Sequence, residues 1–177
     1  MPADRDPSDE TLLEMAQGGD RAAFDELIER YEERFLRMAT RILGGAHRSE
    51  DAQDAVQIAF LNVFRRIDSY RRRYRASTWL FRVLVNASLD LLRKRKRDPA
   101  QGSDEDWAAP PRQAETKIDV QDALDRLPNE CRTVFLLRAL EGLTYEEIAA
   151  VRGVSINTVK THLRRARRAL RTHLEEE

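Results

Sequence analysis

Ala149, Gly153 and Val159 stand at the spacing of a helix-turn-helix, and no other feature restricts the fold of this chain as much. A small residue lets two helices cross closely, a glycine takes the left-handed turn between them, and a branched apolar residue seats the second helix on the first. Thr144 and Glu147 have capping-box spacing at the start of the first helix, and Ser155 is the natural cap of the second. Val159, Leu163, Ala166 and Leu170 then recur at helical steps as a core stripe. This leaves Asn157, Thr158, Lys160, Thr161, Arg164 and Arg165 facing outward, in a stretch from 157 to 173 that holds six bases and no acids. Such a helix reads duplex DNA: side chains near its N-terminus reach base edges, and later arginines and lysines hold phosphates. Lys160 and Arg164 can donate to guanine, and Asn157 can serve adenine or a phosphate.

The remaining periodic segments are also helical, with no strand-like alternation, so the fold class is all-α: an N-terminal helical bundle tethered to a C-terminal helix-turn-helix domain. The capping and stop residues predict a short helix from Ser8 to Gly18 and a long one from Asp20 to Gly44. The long one carries Phe24, Leu27, Ile28, Tyr31, Phe35, Met38 and Ile42 as one apolar stripe. A third helix, from Ser49 to about Ile67, buries Ala52, Val56, Ala59, Phe60, Val63 and Ile67. At about 100° per residue its opposite face collects Asp54, Ile58, Leu61 and Arg65. Two apolar side chains among charges there are either harmless surface residues or part of a surface for a partner protein. A fourth helix from about Thr78 to Arg97 has a core stripe of Leu80, Val83, Leu84, Ala87 and Leu91, and a polar stripe of Arg82, Asn86, Asp90, Arg93 and Arg97.

Between the third and fourth helices, Ser69 to Arg75 has no helical periodicity and reads as a loop. Tyr70 and Tyr74 are interleaved there with Arg71, Arg72, Arg73 and Arg75, a composition that stacks bases while holding phosphates. From Asp98 to Lys117 the pattern breaks down into prolines, Gly102, Ser103 and an acidic triplet. That acidic tether divides the chain into domains at 8–97 and 118–177. Its coil average is about 25 Å, so the two domains can sit on distant DNA segments.

The formal net charge of zero conceals strong segregation. Residues 1–33 carry eleven acids and three bases, and residues 65–97 carry twelve bases and two acids. Residues 98–130 return to nine acids against three bases before the basic helix. Two separated basic surfaces imply two contacts with a polyanion. An acidic tether beside them raises the hypothesis of autoinhibition. Cys131 is the only cysteine, which excludes an internal disulfide and favours a reducing, cytoplasmic location. No apolar run approaches the roughly 20 residues that span a bilayer, so membrane insertion is not expected. His47, His162 and His173 form no metal-ligand spacing, and the carboxylates lie mostly on polar helix faces, so neither catalysis nor a metal or other cofactor is expected.

The chain as a whole resembles an RNA polymerase sigma factor of the extracytoplasmic-function (ECF) type. In the first domain the resemblance is carried by DAVQIAF at 54–60, TWLFRVLVN at 78–86, and Asp90 followed by RKRKR. In the second it is carried by LDRLPNECRTVFLLR at 124–138 and GLTYEEIAAVRGVSINTVKTHLRRARRALR at 142–171. The resemblance implies that the third helix docks on core RNA polymerase through Asp54, Gln57, Ile58 and Leu61. It implies that the loop at 68–76 captures a base of the minus-ten element, with Tyr70 and Tyr74 as pocket or stacking residues. Arg71, Arg72, Arg73, Arg75, Arg82, Asn86 and Arg93 are then further minus-ten contacts, and Trp79 is a melting wedge or, preferably, a core residue. The helix-turn-helix would read the minus-thirty-five element through Ser155, Asn157, Thr158, Lys160, Thr161, Arg164 and Arg165. The partners implied are core RNA polymerase, promoter DNA and an anti-sigma factor.

Two positions depart from the family pattern. Ile58 follows the glutamine where an acid is common, and Asn157 stands where a glycine is frequent. The first bears on polymerase docking and the second on promoter preference. TVKTHL at 158–163 also resembles the helix-turn-helix of response activators, although the chain lacks their receiver pattern.

Overall fold

The computed structural model describes residues 6–45, 48–97 and 120–175, and every regular element among them is helical. The N-terminal half consists of α1 (Asp9–Gln17), α2 (Arg21–Leu43), α3 (Ser49–Arg66) and α4 (Ala76–Arg97). The C-terminal half consists of α5 (Val120–Asp125), α6 (Asn129–Ala139), α7 (Tyr145–Arg152) and α8 (Ile156–Glu175). The tether expected over 98–117 lies outside the described residues.

The helix limits follow local chemistry. Ser8 accepts a hydrogen bond from the Thr11 amide and Asp20 accepts one from Ala23, each satisfying an otherwise unpaired N–H of a first turn. Gly44, at φ 112°, ends α2 in the left-handed conformation. α3 starts at Ser49 itself, without a side-chain cap, and continues into a 3-10 turn over Ile67–Ser69.

α2, α3 and α4 enclose the main core, with α1 laid across them. Phe35 is central: its ring lies 5.1 Å from Phe60, 5.4 Å from Phe81 and 5.6 Å from Tyr31. Such aromatic pairs add about 0.5–1.5 kcal/mol each beyond area burial. Ala52, Ala55 and Ala59 are fully buried, which lets α3 approach its neighbours closely. The Tyr31 hydroxyl donates to Asp9 at 2.6 Å, and Arg30 also reaches Asp9, so α1 is pinned to α2 by a polar contact as well as by Leu12 and Leu13.

α4 buries more than its expected stripe. Phe81, Val85, Ser88 and Leu89 are buried alongside Leu80, Val83, Leu84 and Ala87, while Leu91 is only partly covered. The reason is its position: α1, α2, α3 and α7 all pack against it. The buried Ser88 hydroxyl is satisfied by the Leu84 carbonyl at 3.0 Å.

In the C-terminal half the helix-turn-helix takes the form that its residues predict. Thr144 and Glu147 make both capping-box bonds, at 3.2 and 2.8 Å. Gly153 takes φ 65° in the turn, and Val159, Leu163 and Ala166 seat α8.

The relation between the halves differs from the expectation of two separate bodies. α6 packs on α2, α7 packs on α4, and the buried apolar side chains form one contiguous cluster through both halves. Arg132 of α6 is the polar centre of this junction. Its guanidinium donates to the carbonyls of Leu124 (2.8 Å), Asp125 (2.7 Å) and Ile42 (3.0 Å), the last at the C-terminal end of α2. Burial pulls its pKa down, partly offset by the Asp125 carboxylate 3.1 Å away, yet an arginine remains charged. Arg34 of α2 makes a second bridge, to Glu141 at 2.6 Å. Gly45, at φ 88°, leaves room for Gln121, whose Cγ a Cβ at position 45 would approach to 2.8 Å.

Candidate nucleic-acid interface

The face of α8 opposite Val159, Leu163 and Ala166 is open. Asn157, Lys160, Arg164 and Arg165 are exposed, and Thr158 and Thr161 are half-buried at its edges. Ser155 is engaged as the cap: its Oγ accepts from the Thr158 amide at 3.1 Å and lies 2.9 Å from the Thr158 hydroxyl. Its contribution is to aim the first turn of α8. Lys160, Arg164, Arg167, Arg168 and Arg171 line one shallow cleft of about 360 Å3 together with Tyr145. Arg167, Arg168 and Arg171 thus extend the expected basic surface by two helical turns. Their i, i+4, i+7, i+8, i+11 spacing from Lys160 was available in the sequence as a signal.

Other arginines of this half are structural. Arg152 pairs with Glu130, and Arg138 donates to the Leu143 carbonyl at 2.9 Å. Neither is spare for a phosphate.

In the N-terminal half the loop before α4 is tightly organised, and α1 organises it. Gln17 donates to the carbonyls of Ile67 (2.7 Å) and Tyr70 (3.2 Å). Glu10 accepts from the Ala76 amide at 2.9 Å, capping α4, and Glu14 pairs with Arg72 at 3.0 Å. Sequence reasoning missed these three roles, because polar residues on a short amphipathic helix carry no mark of what they face.

The placement of Tyr70 corrects its expected role as an open stacking residue. Its ring is only 2% exposed and packs 5.6 Å from Trp79, with the hydroxyl donating to the Tyr74 carbonyl at 3.3 Å. Desolvation raises its pKa accordingly. Tyr70 supports the loop from beneath, and Trp79, partly buried against the core, belongs with it. Tyr74 is the accessible ring, 45% exposed, with the Arg73 guanidinium 5.7 Å from its centroid. Arg71 donates back to the Tyr70 carbonyl at 2.8 Å, while Arg75 lines the cleft between the halves. Arg82 and Asn86 stand exposed along α4, and Arg93 pairs with Asp90 at 2.7 Å.

A third surface lies on α3. Asp54 and Gln57 are exposed, Ile58 is 38% and Leu61 54% exposed, and the neighbouring Phe64 is 65% exposed. Phe64 had not been singled out from the sequence. Its ring meets Phe24 of α2 edge-on at 5.5 Å, which holds it upright on the surface. Three neighbouring exposed apolar side chains on one helix face mark a surface for a protein partner.

Comparison with known proteins agrees with this arrangement. The profile for Sigma-70 region 2 matches residues 27–98, and that for Sigma-70 region 4 matches residues 117–170. Fold and region order therefore define a protein of the sigma-70 class. The ECF sigma factor SigM of Mycobacterium tuberculosis (strain H37Rv) is 39% identical, over 92% of this chain and 83% of its own. The ECF sigma-E factor of Escherichia coli K12 is 31% identical, over 92% of each. SigE of Mycolicibacterium smegmatis is 36% identical, and the chain spans 64% of its length. The chain belongs to the ECF family of RNA polymerase sigma factors.

Among solved structures, CnrH in complex with the cytosolic domain of CnrY superposes with a TM-score of 0.72 at 27% identity, covering 97% of this chain and 99% of that one. The sigma factor RpoE of Bartonella quintana, in complex with the anti-sigma factor NepR, gives 0.69 at 26% identity, covering 86% and 96%. Both matches extend over both halves.

Proposed function

We propose that this chain binds core RNA polymerase, brings it to a particular set of promoters and assists strand separation there. It acts as an initiation factor rather than as an enzyme. The observation that carries this reading is the presence, in one ECF-family chain, of an exposed basic recognition helix and a separate arginine loop with an open tyrosine.

The division of labour follows the surfaces. Residues 8–97 bind polymerase through Asp54, Gln57, Ile58 and Leu61, with Phe64 extending the same face. They meet the minus-ten element through Arg71, Arg72, Arg73, Tyr74, Arg75, Arg82, Asn86 and Arg93, over the support of Tyr70. Residues 118–177 read the minus-thirty-five element through Asn157, Thr158, Lys160, Thr161, Arg164 and Arg165, aimed by Ser155, and residues 98–117 join the two. Extruding a base costs a few kcal/mol and stacking returns about 1–3 kcal/mol per base, a gain available only once the strands part. Tyr74 supplies that differential.

The chain works in the cytoplasm and is controlled by an anti-sigma partner. The complexes of RpoE with NepR and of CnrH with CnrY support that partnership. The test is transcription from a promoter template with purified core polymerase. A stand-alone regulator binds DNA without making initiation depend on it, and that result overturns the reading.

A further inference from the structure

We propose that the docking of the C-terminal half onto the N-terminal half is a self-closed state of the free chain, latched through Arg34, Glu141 and Arg132, which must open before one promoter can be engaged at both elements. The proposal rests on the two-element reading above.

The latch is built from particular contacts. Arg34 is held over the rings of Tyr31 (4.6 Å) and Phe81 (5.3 Å), both in the N-terminal half, and its guanidinium reaches across to Glu141 through two nitrogens at 2.6 and 3.1 Å. The Glu141 side chain is 2% exposed, and its second oxygen, Oε1, is buried with no hydrogen-bond partner. A buried carboxylate satisfied on one side only is a strained closure, weaker than a fully paired one. Arg132 adds the bond to the Ile42 carbonyl, and Gln121 sits against Gly45. The joint is therefore specific without being as secure as a domain core.

Closure is incompatible with the proposed task on grounds of length. A compact chain of this size has a radius of gyration of about 16 Å, hence a breadth near 40 Å. Promoter elements centred about 25 base pairs apart lie roughly 85 Å from each other along the duplex, at about 3.4 Å per base pair. With α7 resting directly on α4, one closed molecule does not span them. Closure also sets carboxylates before a DNA-facing arginine. Arg75, Glu141 and Glu147 line the same cleft of about 490 Å3 between the halves, where a phosphate would otherwise approach Arg75.

Two variants of the full chain test this. Glu141→Arg places a cation against Arg34 and should expand the free protein in solution scattering, to a radius of gyration above roughly 20 Å, the size expected for two bodies on a flexible tether. If nine-tenths of the free wild type is closed, opening should raise its apparent affinity for promoter duplex about tenfold. The double variant R34E/E141R, which restores opposite charges, should be compact again. In the second variant, Gly45→Cys with Gln121→Cys, the two Cβ atoms lie within about 4.3 Å, inside the disulfide range of about 3.5–4.5 Å. The native Cys131 is buried and stays out of exchange. Oxidised, this staple should abolish polymerase-dependent transcription, and reductant should restore it. Unchanged scattering for E141R, or equal transcription from oxidised and reduced staple, overturns the latch. If reduced staple and wild type both fail to direct core polymerase, the proposed function is what fails, and the scattering comparison still decides the latch.

Discussion

Arg132→Ala should destabilise the protein far more than any surface arginine replacement. The guanidinium is 6% exposed and donates to four carbonyls, those of Leu124, Ile42, Asp125 and, more weakly at 3.4 Å, Leu127. Truncation leaves these acceptors buried without a donor, at about 1–3 kcal/mol for each one that water cannot reach. It also strands the Asp125 carboxylate, 3.1 Å from Arg132 Nη1. Water entering the vacated space relieves part of this, so a loss of about 3–5 kcal/mol is expected, the range for breaking a buried charged network. For a chain of this length each kcal/mol moves Tm by about 2–4 °C, which predicts a fall of roughly 6–20 °C. Arg132→Lys keeps the charge but not the planar fork, so it should recover only part of the loss. Thermal unfolding followed by circular dichroism measures both, with Arg165→Ala as the exposed control. An R132A midpoint within 2 °C of wild type would refute the assignment of this residue as the polar anchor.

Four other outcomes follow from the site. Tyr74→Ala should impair promoter opening, read by permanganate reactivity of unpaired thymines, more than closed-complex binding, whereas Tyr70→Ala should lower Tm by removing buried packing against Trp79; the reverse pattern contradicts the burial. Leu61→Asp with Phe64→Asp should weaken association with core polymerase at least tenfold in a binding titration while leaving Tm within a few degrees. Replacing Lys160 and Arg164 by alanine should reduce promoter affinity and, where one of them meets a base, relax preference at one upstream position by about 1–3 kcal/mol in a competition assay. Burial raises the Cys131 thiol pKa, so less of it is thiolate at neutral pH, and a thiol reagent should label it only on unfolding; rapid labelling of the native protein contradicts the packing.

Much of the fold was legible because local signals coincided. Ser8, Asp20, Thr144 and Ser155 each cap the helix they were expected to begin, and Gly44 and Gly153 each close one. The outward faces of α3 and α8 were legible for the same reason, since helical periodicity alone separates them from the core. What periodicity does not carry is the identity of the covering element. Phe81, Val85 and Leu89 widen the apolar arc of α4 beyond one stripe, a pattern that signals a further neighbour without naming α7. Arg132 sits among apolar residues in LDRLPNECRTVFLLR and gives no local sign that it ends up buried. Its acceptors include Ile42, far away in the chain. Tyr70 and Tyr74 are alike in sequence context, and only the approach of Trp79 from α4 decides which ring faces inward.

The first helix carries a consequence for how such proteins diversify. Glu10, Glu14 and Gln17 fix the entry to α4, an arginine side chain and two backbone carbonyls, all across the chain from themselves. Shape at the strand-capturing segment is therefore set partly at a distance. Inherited changes in those three side chains would retune which start sites are used while every nucleotide-touching position stays the same.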